Sequence, residues 1–402
     1  MAFNLIRNAR VFFTRKVDTY GVVTTGVGTG IDFSTAETFE IQVLDGLAFS
    51  QNTTTETVTL NEAGTTPNRG QRNFNTALEP VDFSFSTYIR PADSQTAVGT
   101  TIADAEEKIL WNAMFGYGDI GATGAAWTAA SSGTSSSGPA VVSLAQSGRN
   151  QLLPFGMIIC MDDATFVIDN CVMDSATMDF GLDTIATIQW AGKASAIRQF
   201  DKTTLIDSAT KVTASAAGSS NTIFIGESSV KNTKAAYLAN KLSSLTLFED
   251  ISGSTTSYSI ALTGGSLTLA NNVTYLTPSN LGVVNKPITY FTGTRAITGS
   301  INAYLRTGTG SATALLNSIL TKSITDVNPA FNVKLSIGGS PTTLTRVDLV
   351  MPACVLQVPT VATEQVISTT IGFTAQGYTG SAFDIGSNNE IEIRYYVADA
   401  VI

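Results

Sequence analysis

Apolar and polar positions alternate with a period of two along much of this chain, the pattern of strands with one dry face and one wet face. Between Pro80 and Pro91, Val81, Phe83, Phe85, Thr87 and Ile89 point one way while Asp82, Ser84, Ser86, Tyr88 and Arg90 point the other. The same alternation predicts strands at Phe39-Ile41-Val43 against Glu40 and Gln42, and at Met178-Phe180-Leu182 against Thr177, Asp179 and Asp183. Later, Phe331-Val333-Leu335-Ile337 alternates with Asn332, Lys334 and Ser336, and Ile391-Ile393-Tyr395-Val397 with Glu390, Glu392 and Arg394. Helical periodicity is confined to two segments. Ala103 to Phe115, with Ile102 just ahead, sets Ala105, Ile109 and Ala113 on one stripe, and Ser311 to Lys322 does the same with Ala312, Leu315, Leu316, Ile319 and Leu320.

These elements come twice. Phe74-Asn75-Thr76 through Tyr88-Ile89-Arg90 matches Tyr290-Phe291-Thr292 through Tyr304-Leu305-Arg306 at a constant spacing of 216 residues. Leu110-Trp111-Asn112-Ala113-Met114-Phe115 answers Leu315-Leu316-Asn317-Ser318-Ile319-Leu320 at 205. Cys171-Val172-Met173 answers Cys354-Val355-Leu356 at 183, and without a gap Thr177 meets Thr360, Ile188 meets Ile371 and Trp190 meets Phe373. Spacings that only shrink give the first copy the longer loops. Three blocks in one order predict a duplication, with domains over residues 1–199 and 200–402 and a join near Ala194 to Leu205. The expected fold is mainly β: two tandem β-barrel or sandwich domains, each with one short α-helix packed across a sheet and with long hairpin or loop arms.

Two loops stand out. Gly121 to Pro139 is almost entirely Gly, Ala, Ser and Thr and predicts a surface excursion. Phe49 to Arg72 reads as a projecting hairpin, because Glu56-Val58-Leu60 alternates with Thr57-Thr59-Asn61 and is followed by Gly64, Pro67 and Gly70.

Composition narrows the chemistry. The chain's 402 residues suffice for two domains with a core each, and 43% hydrophobic content excludes a disordered chain. A formal charge of −9 argues against gripping nucleic acid through its phosphates, which needs clustered Lys and Arg. There is no histidine, so Ser-His-Asp and Cys-His arrangements are excluded. Gly26-Val27-Gly28-Thr29-Gly30 lacks the third glycine of a dinucleotide loop and reads as a β-turn. Asp162, Asp163, Asp169, Asp174, Asp179 and Asp183 do not follow the calcium-loop spacing and read as turn and wet-face residues. Cys160, Cys171 and Cys354 are too scattered for a disulfide framework or zinc site. No enzyme activity, cofactor or metal is expected. The first ten residues interrupt their apolar positions with Asn and Arg, and no window approaches the ~20 apolar residues of a spanning helix, so the expectation is a chain made in the cytoplasm without membrane insertion.

One stretch runs from Leu60-Asn61-Glu62-Ala63-Gly64 through Arg69-Gly70 and Phe74-Asn75 to Pro80-Val81-Asp82-Phe83-Ser84-Phe85-Ser86-Thr87-Tyr88-Ile89-Arg90-Pro91. With the polar hairpin before it and the short helix after it, it resembles the tail tube proteins of long-tailed bacteriophages. The resemblance implies a structural virion protein whose inner sheet joins those of its neighbours into a tube wall that conducts genome DNA. Most of that family have one tube domain and form hexameric rings, whereas a duplicated chain implies a trimeric ring of pseudo-sixfold symmetry, stacked head to tail. An acidic lumen would let DNA slide without sticking, with Glu40, Asp82, Asp179 and Asp183 as candidate lining residues. The hairpin arm supplies the stacking candidates Glu56, Val58, Leu60, Glu62 and Arg69. Implied partners are further copies of the chain and the sheath, tape-measure, baseplate and terminator proteins of a tail, with assembly in the host cytoplasm.

Two other readings share the composition. A trimeric outer-membrane porin is similarly acidic and β-rich, but the two helices and a terminus, Ala398 to Ile402, without an aromatic end speak against it. A β-sandwich adhesin of a virion surface, binding sugar or protein through its long loops, is the other.

Overall fold

The computed structural model describes residues 10–15, 17, 21–23, 38–58, 72–93, 103–118, 125–128, 139–144, 151–160, 164–201, 236–249, 256–327, 330–338, 345–362, 367–377 and 389–397. The first half begins with β1 (Arg10–Thr14), β2 (Thr38–Ile41), β3 (Ala48–Ser50), β4 (Thr53–Val58), β5 (Arg72–Leu78), β6 (Val81–Tyr88), β7 (Pro91–Asp93) and β8 (Ala103–Ala105). Helix α1 (Lys108–Phe115) follows, then β9 (Trp127–Thr128), β10 (Ala140–Ser143), β11 (Phe155–Cys160), β12 (Ala164–Gly181), β13 (Thr187–Ala194) and β14 (Ala196–Asp201). The second half opens with β15 (Ser244–Phe248), β16 (Ser257–Ile260), β17 (Leu262–Ala270), β18 (Val273–Leu276), β19 (Thr289–Thr292) and β20 (Ala296–Tyr304). It closes with α2 (Ala312–Thr325), β21 (Phe331–Ile337), β22 (Arg346–Leu356), β23 (Thr360–Ala362), β24 (Ser368–Ala375) and β25 (Glu392–Tyr396).

The protein is mainly β, and one order of antiparallel pairings recurs strand for strand. In the first half β2–β1–β11–β12 form one layer, with β14 on the far side of the start of β12. The end of β12 crosses into a second layer, β3–β6–β13–β12. In the second half β16–β15–β21–β22 pair in the same order, β25 lies beside the start of β22, and β17–β20–β24 meet its end. Even an irregularity repeats: Phe155 faces Cys171 and the ladder then resumes at Met157–Ile168, while Phe331 faces Cys354 and it resumes at Val333–Met351. Each is a β-bulge that bends a strand, which a chain passing between two layers requires. Asn170, with φ of 53°, supplies a further bend within β12, and Asn tolerates that left-handed region better than most residues.

The core lies between the layers. Phe13 of β1 stacks on Phe155 at 4.8 Å and meets Phe85 edge-on at 5.6 Å, and Trp111 of α1 meets Trp190 of β13 edge-on at 4.8 Å. Cys171 and Cys354 are fully buried at their matched positions. The halves are joined through β12 and β17, paired from Ser175–Ala270 to Gly181–Gly264, and again where β25 pairs with β10. Nineteen strands thereby form one hydrogen-bonded network among the described residues.

Two expectations need correction. The first helix spans only Lys108–Phe115, because Ala103–Ala105 pairs with Pro91–Asp93 as a strand. Ala103, Ala105, Ile109 and Ala113 are buried all the same, so a stripe of buried residues did not separate strand from helix there. In β21 the positions expected to be wet are mostly covered: Asn332 and Ser336 are buried, and Lys334 reaches the wholly buried Asp348 at 3.5 Å. The second helix starts as predicted, with Ser311 capping it by accepting from the Ala314 amide. Most of the excursion from Gly121 to Pro139 and the residues of the domain join beyond Asp201 lie outside the described residues.

Candidate assembly interface and lining face

The layer made by β6, β13, the end of β12, β17, β20 and β24 turns one face to the core and leaves the other open. Ile188, Trp190, Met178, Leu267, Ile301 and Phe373 are buried on the core side. On the open side the registers align Ser86, Gln189, Thr177, Thr268, Thr298 and Thr374 in one row across the strands. A second row runs Asp179, Ser266, Ser300, Gly372. Hydroxyls satisfy one another along these rows, Thr177 with Thr268 at 3.3 Å and Ser266 with Ser300 at 3.1 Å, and Thr370 donates to Asn302 at 2.9 Å. A strand facing lipid would carry apolar side chains here. This face carries small hydroxyls.

Four residues were candidates for a lining. Asp82 on β6 and Asp179 on β12 share this open face and both are exposed. Lys193 of β13, which the alternation Gln189-Ala191-Lys193 sets on the same face, stands opposite Asp82 at 3.6 Å. Such an exposed pair contributes little to stability, but it halves the negative charge of the face. Asp183 sits in the turn after β12, 3.6 Å from Lys241. Glu40 belongs to β2, opposite Phe12 in the other layer, and its side chain lies outside the described residues.

The arm expected over Phe49 to Arg72 is a hairpin that reaches further along the chain, since β4 pairs with β5 as far as Leu78, and β4 is exposed along its whole length, including Glu56 and Val58. Thr57 donates to Asn73 at 2.9 Å and Thr76 to the Thr54 carbonyl at 3.0 Å. Leu60, Glu62 and Arg69 fall outside the described residues. A second arm, β18–β19, stands beside the first: the Leu78 amide donates to the Asn285 carbonyl at 2.8 Å and the Asn285 amide to Thr76 at 3.2 Å. The match of Phe74 to Tyr290 was the signal for it in the sequence. Phe74, Leu281, Ile288 and Phe291 are exposed on the two arms.

A buried polar cluster ties α1 to the last strand. The Tyr395 hydroxyl donates to the Glu107 carboxylate at 2.8 Å and accepts from the Trp111 indole at 2.6 Å, while the Arg90 amide donates to Glu107 at 3.2 Å. Burial pushes the Glu107 carboxyl up to about 7, against the pull of the Tyr395 hydrogen bond. Burial and the adjacent carboxylate push the Tyr395 phenol well above its usual range. Close by, the Asn271 side chain donates to the carbonyls of Met114 at 2.8 Å and Met173 at 3.2 Å, so the second half closes the C-terminal end of α1. Among the described residues no three Cys, Asp or Glu side chains converge as a metal site requires.

No family model matches the chain. It is similar to the tail tube protein pb6 of Escherichia phage T5, with 28% identity over 385 residues that cover 93% of this chain and 73% of that protein. A repeated order of antiparallel pairings, an exposed hairpin arm and an open hydroxyl-rich face go with that likeness, which supports a phage tail tube protein.

Proposed function

We propose that this chain is the structural subunit of a phage tail tube, without enzymatic activity, in which three copies close a ring of pseudo-sixfold symmetry and rings stack head to tail around a channel for genome DNA. Residues 1–199 and 200–402 act as two tube domains. The observation that carries this reading is the pairing of β12 with β17, which attaches the last strand of one layer to the first strand of its counterpart. The outer edges of β3 and β23, at the two ends of that run, have no strand partner among the described residues. Open edges are an aggregation hazard unless something covers them, and neighbouring copies cover both when β23 of one chain meets β3 of the next and so repeats the β12–β17 junction between chains. Such a head-to-tail contact closes a ring when its rotation divides the circle. A ring of six chains is the alternative closure.

The open face then lines the channel. Ser, Thr, Asn and Gly make a surface with no cluster of cations to hold phosphate, and Asp82 and Asp179 repel it over a Debye length of ~8 Å at physiological salt. The tail sheath or terminator, tape-measure and baseplate proteins are the expected partners at the outside, ends and lumen of the tube, which is built in the host cytoplasm and ends in the virion.

End-on class averages from negative-stain electron microscopy of the purified protein test the reading. Three-chain rings with six similar lobes, alone or in tubes, are expected. Compact single particles would replace it with the adhesin, and trimers that persist only in detergent with the porin.

A further inference from the structure

At a spacing of 205 residues α2 repeats α1, yet the two helices are covered differently. Trp111 and Phe115 of α1 are wholly buried, and residues of the second half lie on both: Tyr395 accepts from the Trp111 indole, and the Arg295 guanidinium lies 5.6 Å from the centre of the Phe115 ring. Their counterparts on α2 are Leu316, which is half-buried, and Leu320, which is 41% exposed. The stripe continues along the same side of the helix through Ile324, 86% exposed, to Val327 just past its end, fully exposed. The neighbouring stripe of α2, Leu315 and Ile319 with Ala312 at the start of the helix, is buried. Leu316 and Leu320 therefore stand where, on α1, the other half of the chain covers Trp111 and Phe115, and Ile324 and Val327 extend the uncovered stripe beyond them.

We infer that the Leu316–Leu320–Ile324–Val327 stripe is a docking surface for the first half of a second copy of this chain, which lies on α2 as the second half lies on α1. This rests on the ring reading above and names a second element of the same seam, a helix face beside the paired strand edges. Exposed apolar side chains at i, i+4 and i+8 on a helix drive association when a partner face removes them from water. Neither strand pairing nor arm stacking accounts for that exposure.

Ile324→Cys tests it. In single chains a maleimide should label this position readily, and in rings or tubes at least ten-fold more slowly, whereas Thr325→Cys, the exposed position of α2 that points farthest from this stripe, should label alike in both. A photoreactive maleimide carried on Ile324→Cys should join chains into bands of two and three, with the linked peptide coming from residues 38–201. Equal labelling of Ile324→Cys in rings and in single chains, or links to second-half peptides, overturns the docking surface while leaving the rings standing. Absence of rings and tubes from the unmodified chain overturns the ring reading itself and the docking surface with it.

Discussion

Gly192 on β13 lies opposite Phe83 on β6, and the Phe83 ring fills the space that a Cβ at position 192 would occupy, its tip 2.2 Å from that point. In the second half the same device is built from the other strand: Gly299 on β20 faces Phe373 on β24, whose ring tip is 2.4 Å from where its Cβ would stand. Residue 299 is the counterpart of Phe83, so the copies have exchanged which strand gives the ring and which the gap. A glycine inside a strand weakens it unless something uses the close approach. Here a ring does.

Gly192→Ala should therefore destabilise the chain by about 2 kcal/mol, the usual range for overpacking a filled core. Shortening the ring with Phe83→Leu should restore only part of this, because the Val172 carbonyl also stands 2.6 Å from the new Cβ. Urea unfolding of the two single variants and the double variant measures both. Full recovery in the double variant would mean that the ring alone sets the constraint.

Strands were legible where one face is dry and the other wet, as in β6, since period two then has a single physical cause. They were misread where burial is not one-sided: Asn332 and Ser336 are covered on β21, and Ala103–Ala105 pairs as a strand although its alanines also fit a helix. The repeated order of elements was legible because residues around the core positions Cys171 and Cys354 keep one spacing, and the structure adds a bulge at both. Glu107 was invisible as a special residue. Its burial depends on Tyr395, which is 288 positions away in sequence, and nothing local to either residue announces the contact.

That burial makes stability depend on pH. Glu107 titrates near 7 in the fold against 4.5 in the unfolded chain, so between these values the native state holds the extra proton and stability falls as pH rises. The groups facing it are the Tyr395 hydroxyl, the Arg90 amide and the neighbouring Glu106, which is itself paired with the Arg90 guanidinium at 2.7 Å. The loss of stability is nil below about pH 4.5 and reaches on the order of 3 kcal/mol above about pH 7. Glu107→Gln should match the parent near pH 5 and melt higher than it near pH 8. Parallel melting curves across this range would assign the pH dependence to other groups.

The lining makes a kinetic prediction. Asp82→Lys with Asp179→Lys turns the charges of the open face from two carboxylates and Lys193 into three cations. Phage carrying both substitutions should assemble normally, since both sites are exposed, but eject DNA more slowly in vitro. The delay should shrink as salt is raised and the screening length falls from about 10 Å at 0.1 M towards 3 Å at 1 M. Ejection at the parental rate in low salt would mean that DNA does not meet this face.

The arms make the last prediction, because β4–β5 owes so little to the core. Its strands bond mainly to each other, all of β4 is exposed, and its link to the rest of the chain near Leu78 runs through Asn285 of the second arm. Replacing Thr55 to Asn75 by a short Gly-containing turn keeps Thr76 and Leu78 for that contact and keeps β3 on β6. The shortened chain should unfold within about 1 kcal/mol of the parent, since few buried groups are lost. Rings should still form, because both open edges of the sheet remain, but they should no longer stack, and electron microscopy should show rings in place of tubes. Tubes of parental length from the shortened chain would shift the stacking role to β18–β19, where Leu281, Ile288 and Phe291 are left exposed.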